Sequence, residues 1–391
     1  MDISDNDSLK QLDNLLAASN QSWLFGAGIC LDAGIPLMGP LTSRVFTKAD
    51  EDTEERTRNV LEAIKAELPD DAHIEHILSH LGDYATIAER SMKKEVKIGD
   101  TTLDVEALVE LHSKILKWIS DTVRWGYIPA CGDESEKIGT RDEPIVKVNW
   151  HQDFVSALFD RSQAGVAERK GAVRLFTTNY DTLIEDALSL GCFSYWDGFS
   201  GGAVAYRSHR YGENEPDSGY RAHVIKLHGS IDWHLDDDAR VWRVRDGDLY
   251  PNKTSRVLIY PQATKYLATQ RDPFAAQFDL FRRTLATGAE NVLAICGYNF
   301  GDDHINQEIE LALQRPENRT TILAFSSGLN PVLKRWRALH WVKRLYIITG
   351  EGLYVGSKGP FYPPSDKDSR DWWKFDGVIK ILENGAEACV L

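Results

Sequence analysis

The five cysteines of this 391-residue chain (Cys30, Cys131, Cys192, Cys296 and Cys389) are odd in number, far apart and never spaced C-x-x-C. Such a set excludes a disulfide framework and a cysteine zinc site. No apolar run approaches the roughly 20 residues that span a bilayer, so no membrane-spanning helix is expected. The acidic start MDISDNDSLKQLDNLL lacks the features of a signal peptide, and a soluble, reducing, cytoplasmic location is the expectation. Positive charge is scarce as well: 45 Lys and Arg stand against 59 Asp and Glu, a formal charge of −14. A surface of that sign repels a phosphate backbone, which argues against direct nucleic-acid binding. The local exception is Lys334, Arg335, Arg337, Lys343 and Arg344 interleaved with Trp336 and Trp341, which reads as a solvated face. Internal repeats and low-complexity tracts are absent.

What is present is a globular chain, 42% hydrophobic and 27% charged, long enough for more than one module. QSWLFGAG (21–28) is a short apolar run cut by glycines, as a strand entering a tight turn would be. Roughly a hundred residues of helical spacing follow, and 49–165 reads as a helical insertion. Within it Ile74, Ile77, Leu78 and Leu81 form one apolar stripe. His73, His76 and His80 accompany the stripe without the H-E-x-x-H pattern of a metal-binding helix, and an exposed face is expected there.

Short apolar runs return in AVRLFTTN, HVIKLHGS, SRVLIYPQ, NVLAICGYNF and TTILAFSS, with helix-length segments between several of them. That alternation predicts an α/β fold: a Rossmann-type parallel sheet with helices on both faces, made by 1–48 and 166–391. Residues 189–222, rich in glycine, serine and tyrosine, read as a small loop-rich lobe within this core and lacking a zinc site. Ligands of such sheets sit at the carboxyl ends of the strands, where each run above turns polar.

Several residues at those ends carry chemistry. Gly26 and Gly28 suit a tight turn and close approach of a pyrophosphate, although Leu31 breaks the G-x-G-x-x-G pattern and the next glycine is Gly34. Asn179 offers an amide for water or ribose hydroxyls, Asp181 a negative charge, and His228 a base with a near-neutral pKa. Each also has a structural alternative: an Asx-turn for Asn179, a helix cap for Asp181 and a satisfied core position for His228. Asp302, Asp303 and His304 form either a site or a helix start that complements the dipole. A nucleophilic role for Cys30 is not expected, because no base is placed beside it in sequence.

Taken in order, G-A-G-I-C-x-x-A-G-I-P, T-T-N-Y-D, K-L-H-G-S and G-Y-N-F-G-D resemble the motifs of the sirtuin family over residues ~22–48 and ~170–330. The resemblance implies NAD as the ligand and substrate. It implies catalytic Asn179, Asp181 and His228, and NAD contacts from Gly26, Ala27, Gly28, Ile29, Gly34, Ile35, Pro36, Thr178, Gly297, Asn299, Asn306 and Ser326. This chain departs from the sirtuin deacylases in three places. Leu37, Met38 and Gly39 replace their acidic-aromatic-arginine triplet, Leu183 and Ile184 stand at their Leu-His pair, and their four zinc cysteines are missing.

FTTNYD, DGFSG, IKLHGS, LIYPQATKY and GYNFGDDHIN look most like the sirtuin-like NAD-hydrolysing proteins of bacterial anti-phage defence, in particular the subunit that pairs with a HerA-type hexameric ATPase. That resemblance implies an NAD glycohydrolase that yields nicotinamide and ADP-ribose, needs no metal, and works in a homo-oligomer with the ATPase. Oligomer contacts are expected in 50–165. An NAD-dependent protein deacylase and a non-catalytic NAD or ADP-ribose sensor are the alternatives.

Overall fold

The computed structural model describes residues 5–163, 171–254, 256–259, 272–365 and 369–389. Its centre is a nine-stranded sheet. The strands run, in spatial order, Lys358–Phe361, Gly352–Val355, Leu345–Thr349, Thr320–Phe325, Asn291–Cys296, Gln21–Phe25, Val173–Thr177, Ala222–Lys226 and Tyr195–Trp196. All neighbours are parallel except the two pairings formed by Gly352–Val355, so the sheet is mixed at one edge. The six long parallel strands, counted along the chain, lie in the order 3-2-1-4-5-6 of a doubly wound nucleotide fold. Gln21–Phe25 is the first, and the order reverses between it and Asn291–Cys296. A crevice opens outside the strand ends at such a reversal.

The central strands are mostly apolar because both faces of the sheet are covered. Trp23, Phe25, Leu175 and Val224 face one hydrophobic cluster, where they meet Leu12, Phe154, Leu188 and Val378 of surrounding helices. Leu24, Phe176, Ile225 and Ile295 face the other, against Phe278, Ile309 and Leu333. Burying each such side chain contributes about 1.5–3 kcal/mol, which drives the helices onto both faces.

Helices Glu55–Glu67, Ile74–Arg90 and Val105–Trp125 occupy the expected helical block, with Ile74, Ile77, Leu78 and Leu81 buried. Their side chains belong to the same cluster as Trp23 and Leu175, so this block packs into the core of the sheet. Two short hairpins interrupt it, Glu95–Ile98 with Thr101–Asp104 and Tyr127–Ile128 with Lys137–Ile138. The histidines are half-buried rather than on an open face. His73 and His76 cap the helix start reciprocally, and His80 Nε2 lies 2.8 Å from Glu67. Among the described residues no helix is long and apolar enough to cross a membrane.

Three other expectations change. Residues 199–207 are not loop: strands Phe199–Gly201 and Val204–Arg207 form a five-stranded antiparallel sheet with Gly229–Leu235, Val241–Val244 and Arg256–Ile259. The run at 256–259 therefore leaves the parallel sheet and joins this smaller one, and 260–262 of the same motif lie outside the described residues. The basic aromatic stretch keeps a solvated face for Lys334, Arg335 and Lys343 but not for its tryptophans. Trp336 and Trp341 are core side chains, Arg335 pairs with Glu310, and Arg344 donates to the carbonyls of Leu313, Asn318 and Thr320.

Candidate functional site

The glycine loop leaves Gln21–Phe25 at the crevice and forms a single 3-10 turn, Ala27–Cys30. It lies directly on the turn after Asn291–Cys296. A Cβ on Gly26 would stand 2.6 Å from the Gly297 carbonyl oxygen, one on Gly28 2.8 Å from the Gly297 Cα, and one on Gly297 2.6 Å from the Ile29 nitrogen. Gly297 also has φ +66, a conformation that glycine adopts without strain. The glycines thus serve the approach of two backbone segments to each other. The Gly26 and Gly28 amides donate to Cys296 and Gly297 at 3.1 and 2.9 Å, and the Ile29 amide to Gly26 at 3.3 Å. These amides are occupied, and Ala27 and Gly28 are the exposed residues of the turn.

Thr178, Asn179, Tyr180 and Asp181 leave the end of Val173–Thr177 beside that turn. Asn179 is nearly buried, and its amide donates 3.1 Å bonds to the Gly26 carbonyl and to Cys30 Sγ. Asp181 Oδ1 accepts from the Leu183 amide at 2.9 Å, and its Oδ2 accepts from the Cys30 thiol at 3.1 Å. Asp181 therefore makes an Asx-type turn at the start of helix Leu183–Leu190, whereas the Asx-turn expected of Asn179 is replaced by side-chain bonds that tie its turn to the glycine loop. Both residues still reach the cavity wall. Behind them the buried Lys226 amine donates to the Asp181 carbonyl and, at 3.2 Å, to Glu185.

His228 sits between Ala222–Lys226 and Gly229–Leu235, where the chain passes from the large sheet to the small one. Gly229 permits that passage: its φ is +86 and a Cβ there would meet the Leu258 carbonyl oxygen at 2.2 Å. His228 is buried, with Nε2 3.9 Å from Asp302 Oδ1 and its ring 5.6 Å from that of His304. The Asp302 side chain makes no capping hydrogen bond to its helix, Asp303–Leu313, and points to the site instead. Asp303 is exposed at the same helix start.

These strand ends surround one cavity of about 940 Å³, a size that holds a dinucleotide. Its wall includes Gly26, Ala27, Gly28, Ile35, Pro36, Thr178, Asn179, Asp181, His228, Gly297, Asn299 and Ser326 from the sequence expectation. Ile29, Gly34 and Asn306 lie behind it. Ile29 is core, Gly34 packs on the Ile145 carbonyl, and Asn306 is buried with its amide on the Phe300 carbonyl at 2.8 Å. Residues the sequence reading passed over also line the wall, notably Glu75, Tyr180 and Glu351. Tyr180 was legible inside T-T-N-Y-D. Glu75 was not, since it comes from the helical block, where its carboxylate accepts from the Tyr180 hydroxyl. Among the described residues of the wall there are four carboxylates (Glu75, Asp181, Asp302 and Glu351) and neither Lys nor Arg. The cavity suits a ligand with a cationic group next to strand ends that offer backbone polar atoms.

Cys30 is buried between Asp181, Asn179 and His151. Burial, with Asp181 adding to it, pushes its thiol well above the usual range, so it stays protonated and serves as a hydrogen-bond donor. Burial also lowers the His151 pKa to about 4. His151 was missed in sequence because it lies 121 positions from the cysteine it faces at 3.7 Å.

No curated protein matches the chain. A crystal structure described as a Sir2 homolog–NAD complex is 14% identical, with 83% of this chain and 84% of that chain covered at a TM-score of 0.38. Residues 173–340 match the family model described as a SIR2-like domain, a span that carries Asn179, Asp181, His228 and Gly297.

Proposed function

We propose that this chain binds NAD and hydrolyses it to nicotinamide and ADP-ribose, as an effector of anti-phage defence acting in complex with a HerA-type ATPase. The observation that carries the reading is the convergence of Asn179, Asp181 and His228, from two strand ends, on one acidic cavity beside the glycine turn. The SIR2-like match over 173–340 supports NAD as the ligand. The partner, the defence role and a homo-oligomer rest on the sequence resemblance.

Cleavage of the nicotinamide–ribose bond builds positive charge at the ribose carbon, as glycoside cleavage does. The carboxylates of Asp181 and Glu75 supply a field that favours that charge. Nicotinamide departs as a neutral molecule and takes the bonding pair, so no acid is required. Water adds to the ribose carbon, and His228 accepts its proton. Asn179 holds the turn and presents its amide oxygen to water or a ribose hydroxyl. The five cysteines are all free and scattered, so the zinc module of the sirtuin deacylases has no counterpart here.

The test is nicotinamide release by the purified chain given NAD alone, NAD with an acetylated peptide, or NAD with the ATPase. Release without peptide, lost in His228→Ala, supports hydrolysis. Release only with peptide identifies a deacylase, and binding without turnover under every condition identifies a sensor.

A further inference from the structure

We propose that His228, Asp302 and His304 form a site for a divalent transition-metal ion of the zinc type, and that an ion held there blocks the catalytic histidine. The ligating atoms of the three residues all lie within 4.8 Å of one another, with His228 and Asp302 buried and His304 half-buried. Donors around tetrahedral zinc, at bonds of about 2.0–2.1 Å, stand roughly 3.3 Å apart. The 3.9 Å between His228 Nε2 and Asp302 Oδ1 is close to that spacing.

Two features besides proximity favour a cation. His228 and Asp302 both belong to the cavity wall, so three protein ligands would leave a fourth position facing the cavity for water. That wall also carries Asp181, Glu75 and Glu351 with no Lys or Arg among its described residues, so the local field draws positive ions in. Two imidazoles and one carboxylate select zinc-like ions over magnesium and calcium, which take all-oxygen shells. Gly229 permits the turn that places His228, and buried Ile305 anchors the helix start that carries Asp302 and His304.

The consequence rests on the NAD hydrolase reading. A metal takes the imidazole lone pair of His228 that would otherwise accept the proton of water, so metal-bound protein should not turn over. His304 contributes only to metal capture. Zinc would then act as a reversible brake on the same cavity.

Calorimetric titration of the full-length chain with zinc chloride, free of NAD, measures binding alone. One zinc per chain is expected, with magnesium giving no heat, and His304→Ala and His304→Asn each weakening zinc binding roughly tenfold or more. In parallel, zinc should suppress nicotinamide release by the unmodified chain, a chelator should restore it, and both His304 variants should turn over normally and resist zinc. Absence of zinc binding, equal binding by the His304 variants, or equal inhibition of them would overturn the proposal. If the unmodified chain releases no nicotinamide even without zinc, the hydrolase reading and the brake that rests on it fail, while the binding titration still decides the metal site.

Discussion

The Cys30 thiol donates a 3.1 Å hydrogen bond to Asp181, and the Asn179 amide donates to the same sulfur at the same distance. One buried side chain thus ties the glycine turn to both polar residues of T-T-N-Y-D. Cys30→Ser keeps a donor and an acceptor there and should retain most NAD turnover. Cys30→Ala leaves a buried Asp181 oxygen without that donor and should lower stability by about 1–3 kcal/mol in denaturant titrations. Loss of turnover in both variants at unchanged stability would instead make the thiol a reacting group.

Lys226 supports the same turn from below. Its amine is fully buried and bonds to the Asp181 carbonyl and to Glu185, itself buried. Lys226→Met should destabilise by about 3–5 kcal/mol, because a buried carboxylate loses its cation. Adding Glu185→Leu should recover much of that stability. Turnover should stay low in the double variant, since the Asp181 carbonyl still lacks its donor; full recovery of both would assign Lys226 to stability alone.

The contact between the glycine turn and Gly297 makes a sharper prediction than a phosphate-binding role would. Gly297→Ala forces a side chain into φ +66 and against the Ile29 nitrogen at 2.6 Å. A loss of about 1–3 kcal/mol is expected from the strain, together with loss of NAD binding measured by calorimetry. A stable Gly297→Ala variant that binds NAD normally would contradict the packing described.

Acid should loosen the segment that borders the small sheet. Glu215 receives a two-nitrogen contact from Arg174 and lies 2.9 Å from His223 Nδ1. Burial alone would raise its pKa, but these partners outweigh it and lower the value from 4.5 to about 2. Because the folded value is the lower one, the stabilisation is full above pH 4.5 and disappears as pH falls through about 2. Glu215→Gln should cost about 1–3 kcal/mol at neutral pH, with the difference from the unmodified chain shrinking below pH 4.5 in urea titrations.

His151 gives the other pH signature. Its folded pKa, about 4, lies below the ordinary 6.5, so the unfolded chain binds the extra proton and stability declines as pH falls from 6.5 to 4. His151→Phe should flatten that slope. An unchanged slope would mean that other groups carry it, among them His234, which burial also lowers to about 4.

Much of this was legible in the sequence, and for a physical reason. Parallel strands covered on both faces read as continuous apolar runs, so Val173–Thr177, Asn291–Cys296 and Thr320–Phe325 stood out with their polar ends. The small antiparallel sheet did not, because strands such as Val204–Arg207 are only four residues long and partly exposed. The last three strands of the large sheet and helix Phe375–Asn384 were passed over because no motif marks them. Side-chain roles were harder still. Gly26 and Gly28 were chosen correctly as a tight turn, yet a pattern cannot tell a glycine that admits a ligand from one that admits Gly297. Trp336 looked like part of a face because sequence spacing does not reveal which side of a six-residue helix is buried, and Trp341, beyond that helix, packs into the same core.

Nicotinamide release from NAD, with no peptide present, tests the central claim most directly. The account predicts release by the unmodified chain, alone or with its ATPase partner, and its loss in His228→Ala with NAD binding retained. Release by His228→Ala at the unmodified rate, or no release by any form of the protein that binds NAD, would contradict it.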